Sequence, residues 1–99
     1  MAEDPWPFDQ DRRCAVVTLR SIVFDGQPIL FVFHDEEDHG WQFLDGQAFE
    51  MSNAAVVALE EIVKGDPSVL ELADLPLGWK AWRESASSPW QRAPADDSA

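Results

Sequence analysis

His34 and His39 enclose four consecutive carboxylates at residues 35–38. Imidazoles and carboxylates are the side chains that bind zinc and other divalent ions, so this segment has the composition of a metal site. In the spacing of a calcium-binding EF-hand loop, however, Gly46 would stand at the twelfth position, where that loop needs a bidentate glutamate. The flanking residues also predict strands rather than helices. We therefore expect an acidic hairpin turn and no specific metal site.

Other arrangements for catalysis are absent from the sequence. Cys14 opens a predicted strand, where it is most simply a small buried apolar side chain, and nothing places a histidine beside it. Ser85, Ser87 and Ser88 lie in a predicted tail. No glycine-rich phosphate loop or dinucleotide-binding fingerprint is present. We therefore predict a non-enzymatic protein with no catalytic residue and no cofactor, and a small metal-dependent enzyme ranks third among the hypotheses.

The charge of the chain restricts its partners. Nineteen acidic residues against seven basic ones give a net charge of −12. Such a surface repels nucleic acid and anionic lipid, whereas it attracts a basic protein. The alternative is that the acidity only keeps the protein soluble.

A turn needs only one aspartate, and four adjacent carboxylates repel one another. We predict that Asp35, Glu36, Glu37 and Asp38 face a protein partner, with a solvated turn of no function as the alternative.

Length and composition predict one small cytoplasmic domain. The 99 residues are 45% hydrophobic and include five tryptophans and six phenylalanines, enough for a core. No apolar run approaches the ~20 residues that span a membrane. The first residues are acidic and lack a basic region followed by an apolar stretch, so we expect no secretory signal. Cys14 is the single cysteine, so it has no partner for an internal disulfide. We expect the domain at residues 12–84, an N-terminal tail at 1–11 and a flexible C-terminal tail at 85–99.

The hydrophobic pattern predicts strands first, then helices. Residues 29–34 are apolar on both faces, which predicts a central strand covered on both sides. The i, i+3, i+4 spacing at residues 54–64 predicts the main helix, with Ser52 or Asn53 as its N-cap. Asp66 precedes a proline and predicts a short second helix. The remaining strands are predicted at residues 14–20, continuing over 22–24, at 41–44 and at 79–84.

These elements predict an α+β fold, in which the main helix and the short helix pack on one face of a small antiparallel sheet. Trp41 and Trp79 each follow a glycine at a strand start, so we expect both in the core. Trp82 falls on the opposite face from Trp79 and near Lys80. Because tryptophan is enriched at binding hot spots, Trp82 is predicted to be an exposed anchor for a partner.

Two short motifs add a family resemblance. Residues 40–46 read Gly-Trp-Gln-Phe-Leu-Asp-Gly; residues 66–72 read Asp-Pro-Ser-Val-Leu-Glu-Leu and are followed by Leu-Pro-Leu-Gly at 75–78. They resemble the Gly-Trp-Arg-Phe-x-x-Gly and Asp-Pro-x-Ile/Val-x-x-Leu…Pro-x-Gly motifs of an uncharacterised bacterial family, which is grouped with predicted immunity proteins of polymorphic toxin systems. His39 stands where that family has serine, and Gln42 where it has arginine.

The resemblance implies an α+β fold and an inhibitory role toward a toxin. Together with the charge, it predicts an acidic, non-enzymatic protein-binding domain that acts as an immunity protein against a basic toxin. A housekeeping or regulatory adaptor with no toxin partner is the alternative. Binding to nucleic acid or to a membrane is not expected.

Overall fold

A six-stranded sheet organises the chain in the computed structural model, which describes residues 6–48 and 50–95. The strand order is β4-β1-β3-β2-β5-β6, and every neighbouring pair is antiparallel except β1 and β3, which are parallel. The strands are β1 (Ala15–Leu19), β2 (Phe31–His34), β3 (Trp41–Leu44), β4 (Ala54–Ala58), β5 (Trp79–Trp82) and β6 (Gln91–Pro94). The helices are α1 (Arg20–Asp25), α2 (Leu59–Gly65) and the short 3₁₀ helices Met51–Asn53 and Pro67–Leu72. The predicted α+β class is confirmed.

The core lies on one face of the sheet. Val32 of β2 is paired with Phe43 of β3 and Ala81 of β5, and all three side chains are fully buried. This face packs against buried residues of α2 and of the 3₁₀ helix Pro67–Leu72, namely Leu59, Ile62, Val69 and Leu72. On the other face of β2, Phe31 and Phe33 are only half-buried and do not join the core. The prediction that β2 is covered on both sides is therefore wrong for one face.

Residues 54–58 form a strand where the sequence pattern predicts the first half of a helix. All five pair with β1, from Ala15 opposite Ala58 to Leu19 opposite Ala54. Their β-branched and small side chains suit either structure, and the pairing with β1 selects the strand. Helix α2 accordingly begins at Leu59, and neither Ser52 nor Asn53 caps it. Asn53 instead binds α1, because its Oδ1 accepts the Ser21 N–H at 3.2 Å.

Two further segments differ from the sequence prediction. Residues 22–24, predicted as strand, belong to α1, which ends at Asp25 and is followed by its C-cap Gly26 with φ of 74°. Within the predicted flexible tail 85–99, Gln91–Pro94 form β6 and pair with β5 along its whole length. Residues 96–99 of that tail, like residues 1–5 of the N-terminal tail, lie outside the described part of the chain.

The described part of the N-terminal tail packs on the domain. Phe8 is 5% exposed and meets Trp41 edge-on, with ring centroids 5.3 Å apart. Trp6 packs partly buried against the same core and donates its indole N–H to the Gln10 carbonyl at 2.7 Å. Trp41 itself is 2% exposed, so its core assignment is confirmed, and Trp79 packs half-buried against the core.

Candidate protein-binding surface

The acidic turn between β2 and β3 is held by two of its own carboxylates. Asp35 accepts the Glu37 N–H on Oδ1 at 2.8 Å, and Asp38 accepts the Gly40 N–H on Oδ1 at 2.8 Å. The Asp35 N–H donates to the Gly40 carbonyl at 2.8 Å and closes the hairpin. His39 has φ of 59°, a left-handed conformation that completes the reversal. Asp35 and Asp38 therefore both stabilise the turn, which uses two aspartates where one was expected to suffice.

The remaining two carboxylates of the turn, Glu36 and Glu37, are exposed. Neither side chain takes part in a hydrogen bond or an ion pair with another described residue. Glu36 lies against Gly78, where a Cβ would come within 3.3 Å of its Oε2. These two glutamates carry the negative charge that the fold leaves available to a partner.

A cleft of about 400 Å³ lies beside these glutamates. Phe33 of β2 and Gln42 of β3 line it, and they are cross-strand partners on the half-buried face of the sheet. The carboxylate-bearing residues 35–37 line it as well, together with Gly78 and Ala95, which are joined by a 2.7 Å backbone hydrogen bond. The cleft thus combines an aromatic ring with carboxylates, a pairing that favours a cationic side chain.

The half-buried face continues from the cleft across β2, β3 and β5. Phe31 pairs with Leu44 on one side and with Trp82 on the other, and the rings of Phe31 and Phe33 are 5.3 Å apart. Lys80 pairs with Phe33, and its Nζ lies 5.7 Å from the centre of the Trp82 ring. We call this the open face; it consists of Phe31, Phe33, Gln42, Leu44, Lys80 and Trp82.

The structure therefore brings the predicted partner residues to one surface. Trp82 was predicted to be exposed and is instead half-buried on the open face, in register with Phe31. The acidic turn follows directly after the last residue of β2. Trp82 and the carboxylates stand at opposite ends of that face, with Phe33 and the cleft between them. A partner that covers the face would reach both.

The two histidines lie apart. His34 is 8% exposed, stacks on Trp41 with ring centroids 3.9 Å apart, and is 2.6 Å from the Leu75 carbonyl through Nδ1. Because a carbonyl only accepts, Nδ1 carries the proton, and the buried Nε2 has no hydrogen-bond partner among the described residues. His39 is exposed in the turn. Within residues 6–48 and 50–95, no three His, Cys, Asp or Glu side chains are grouped to hold a metal ion.

The ion pair between Arg83 and Asp66 was not predicted from the sequence. Arg83 follows β5, and its side chain is 2% exposed. Its guanidinium lies 4.2 Å from the centre of the Trp90 ring, a cation–π contact. Asp66, correctly predicted to cap the second helix, also accepts on Oδ1 from the Ser68 N–H at 3.1 Å. The Arg83 side chain donates to Asp66 Oδ2 at 2.5 Å, Ile29 O at 2.9 Å, Ser68 Oγ at 2.9 Å and Ala86 O at 3.1 Å.

Comparison with protein-family models, with curated proteins and with solved structures gave no match for this chain. No helix in the described ranges has the length and apolar character that a membrane crossing requires.

Proposed function

We propose that this chain is an acidic protein-binding domain that engages a basic protein through its open face and acidic turn. The observation that carries the proposal is the placement of Glu36 and Glu37, whose carboxylates are unused by the fold, beside an aromatic cleft. Carboxylates without a folding role raise the negative potential around the cleft and steer a basic partner toward it. Half-buried aromatic side chains then supply apolar area that contact with a partner removes from water.

The two ends of the open face would make different contacts with the partner. An arginine or lysine of the partner would enter the cleft, lie against Phe33 and meet the two glutamates by charge-assisted hydrogen bonds. Trp82 would anchor the other end as a hot-spot residue. The more specific function is that of an immunity protein that occludes a basic toxin. It is supported by the net charge of −12 and by the motif resemblance.

The test begins with purification of the full chain together with its native partner, which mass spectrometry identifies. Association kinetics are then measured for the parent and for the double variant Glu36→Gln/Glu37→Gln. We expect the association rate constant to fall about 2–10-fold and to depend less on salt, because two steering charges are lost. The matched control is Glu61→Gln/Glu71→Gln, which makes the same change in charge at exposed residues of the helices that pack on the core face of the sheet.

The Trp82→Ala variant tests the other end of the face. We expect faster dissociation at a nearly unchanged association rate, since hot-spot contacts act mainly on the dissociation rate. If both variants bound like the control, the open face would not be the binding surface. A partner that is a toxin, with protection lost in the variants that bind poorly, would support the immunity role. A non-toxic partner would support the adaptor.

A further inference from the structure

Strand β4 forms one edge of the sheet and pairs only with β1 among the described strands. The Leu59 N–H donates to the Cys14 carbonyl at 2.8 Å, which continues the β1–β4 register by one residue. In an antiparallel pair, hydrogen-bonded and non-hydrogen-bonded positions alternate. Residues 55 and 57 therefore bond to β1, whereas Val56 presents both its N–H and its C=O at the free edge. Ala58 presents only its N–H there, because its carbonyl, at the N-cap of α2, accepts the first hydrogen bond of that helix. The Ala54 carbonyl faces the same way, and the Ala54 N–H bonds to Met51 O.

This edge lacks the features that usually protect a free strand. Residues 54–58 read Ala-Ala-Val-Val-Ala, without a charge or a proline, and Val56 at their centre is 68% exposed. The opposite edge, β6, carries Arg92 and Pro94. Charged side chains and proline on an edge strand prevent pairing with another chain, and their absence permits it. The β4 edge is thus the one of the two that is open to a further strand.

The charges around β4 suit a second copy of this acidic chain. Strand β4 itself is neutral, and exposed Arg13 and Arg20 stand at the two ends of its neighbour β1. Arg20 and Glu50 lie near the first end of β4, at residue 54. Arg13 and Glu60 lie near its second end, at residue 58. A twofold axis brings the first end of one copy against the second end of the other. Arg20 of each copy then lies at the end where the other copy has Glu60, and Glu50 at the end where it has Arg13.

We propose that two copies of this chain pair edge to edge through β4, antiparallel, about a twofold axis at Val56. In this register Val56 lies opposite Val56 of the other copy, and the two exchange both of their outward backbone hydrogen bonds. Ala58 lies opposite Ala54 and donates to its outward carbonyl. The result is one continuous sheet across the dimer. The acidic turn and the cleft lie between β2 and β3, away from this edge, so both stay accessible to the partner proposed above.

Sedimentation velocity of the full chain at increasing concentration tests the dimer. We expect a reversible dimer in the parent and a monomer for Val56→Lys, because the edge would then carry a charge on each copy at the twofold axis. The matched control is Val23→Lys, the same substitution at a valine of α1 that is 39% exposed, and it should dimerise like the parent. Far-ultraviolet circular dichroism checks that each variant is folded. A parent that remains monomeric up to roughly 1 mM would overturn the proposal.

Cross-linking gives a second measurement that does not depend on weakening the fold. In a Cys14→Ser background, Val56→Cys places two sulfurs at the twofold axis. The Cα atoms of such a hydrogen-bonded pair are about 5.5 Å apart, within the range of a disulfide. We expect mild oxidation to give a covalent dimer for this variant and not for Met51→Cys, a more exposed position outside the strand. Equal cross-linking of the two variants, or none for Val56→Cys, would contradict the register.

Discussion

Replacement of Arg83 by methionine tests how much its buried ion pair with Asp66 contributes to the stability of the protein. The Arg83 side chain is 2% exposed, and its guanidinium is hydrogen-bonded on all three nitrogens. Methionine keeps much of the apolar stem and removes the guanidinium. The Asp66 carboxylate, 24% exposed, then loses its cation. Removal of one partner of a buried pair costs about 3–5 kcal/mol, because the remaining charge is left uncompensated. A small domain has only about 5–15 kcal/mol in total, so Arg83→Met should be severely destabilised.

A double-mutant cycle separates the ion pair from the helix cap. Asp66→Asn removes the charge, and its side-chain oxygen can still accept the Ser68 N–H that caps the 3₁₀ helix. In the parent this substitution should cost about 1–3 kcal/mol. In the Arg83→Met background it should cost nothing or restore stability, because it removes the uncompensated charge. We therefore expect a coupling energy of about 1–3 kcal/mol between the two positions, and a larger one if the second substitution restores stability.

Equilibrium urea unfolding of the four proteins gives these free energies. Thermal scans should show a fall of about 12–40 °C in Tm for Arg83→Met, since about 1 kcal/mol corresponds to 4–8 °C in a chain of this size. Arg13→Met, at an exposed arginine, is the matched control and should stay within about 0.5 kcal/mol of the parent. A loss below about 1 kcal/mol for Arg83→Met, or a coupling below about 0.5 kcal/mol, would refute the reasoning.

Three further substitutions test the core at Trp41, the ion pair between Arg92 and Asp74, and the turn at Gly78 that precedes β5. Trp41→Ala should cost about 3–5 kcal/mol in urea unfolding, as for other buried large aromatics, and Trp41→Phe clearly less; a melting temperature within a few degrees of the parent would place Trp41 outside the core. Arg92 donates a 2.8 Å hydrogen bond to Asp74 and attracts its negative charge, and both effects lower the pKa of the Asp74 carboxyl from its ordinary value of 3.8. The stabilisation by this pair is therefore present above pH 3.8 and is lost as the pH falls through the lower pKa of the folded protein. Asp74→Asn should accordingly be less stable than the parent near neutral pH and equal to it in strong acid, and a difference that persisted in acid would contradict this sign. Gly78→Ala should cost about 1–2 kcal/mol because φ is 80° and the new Cβ would press on Glu36, and an unchanged stability would contradict the strain.

Much of the fold could be predicted because local chemistry and tertiary structure agree there. The structure contains the predicted strand β2, the predicted strand that begins at Trp41, and the short helix that begins after Asp66. At residues 54–58 the predicted helix is wrong, because these residues form β4. Alanine and valine at helical spacing fit a helix, but the choice depended on β1, about forty residues earlier in the chain, and no local signal reports such a pairing.

The candidate site was predictable in composition and not in detail. Four carboxylates in one turn marked the acidic surface, but only the backbone conformation shows that Asp35 and Asp38 serve the turn while Glu36 and Glu37 do not. Strand β6 was not predicted from the sequence, for a related reason. Its sequence, Gln-Arg-Ala-Pro, has little strand propensity, so it depends on contacts made elsewhere in the chain.

Those contacts connect the buried ion pair to the candidate binding surface. Arg83 holds Trp90 against its guanidinium, and Trp90 immediately precedes β6. Strand β6 ends beside Ala95, whose N–H donates to the Gly78 carbonyl, and Gly78 lies against Glu36. The wall of the cleft formed by Gly78 and Ala95 thus depends on a residue on the core side of the sheet. If the open face binds a basic protein as proposed, a substitution at Arg83 that leaves the protein folded should therefore weaken that binding, although the Arg83 side chain never reaches the open face.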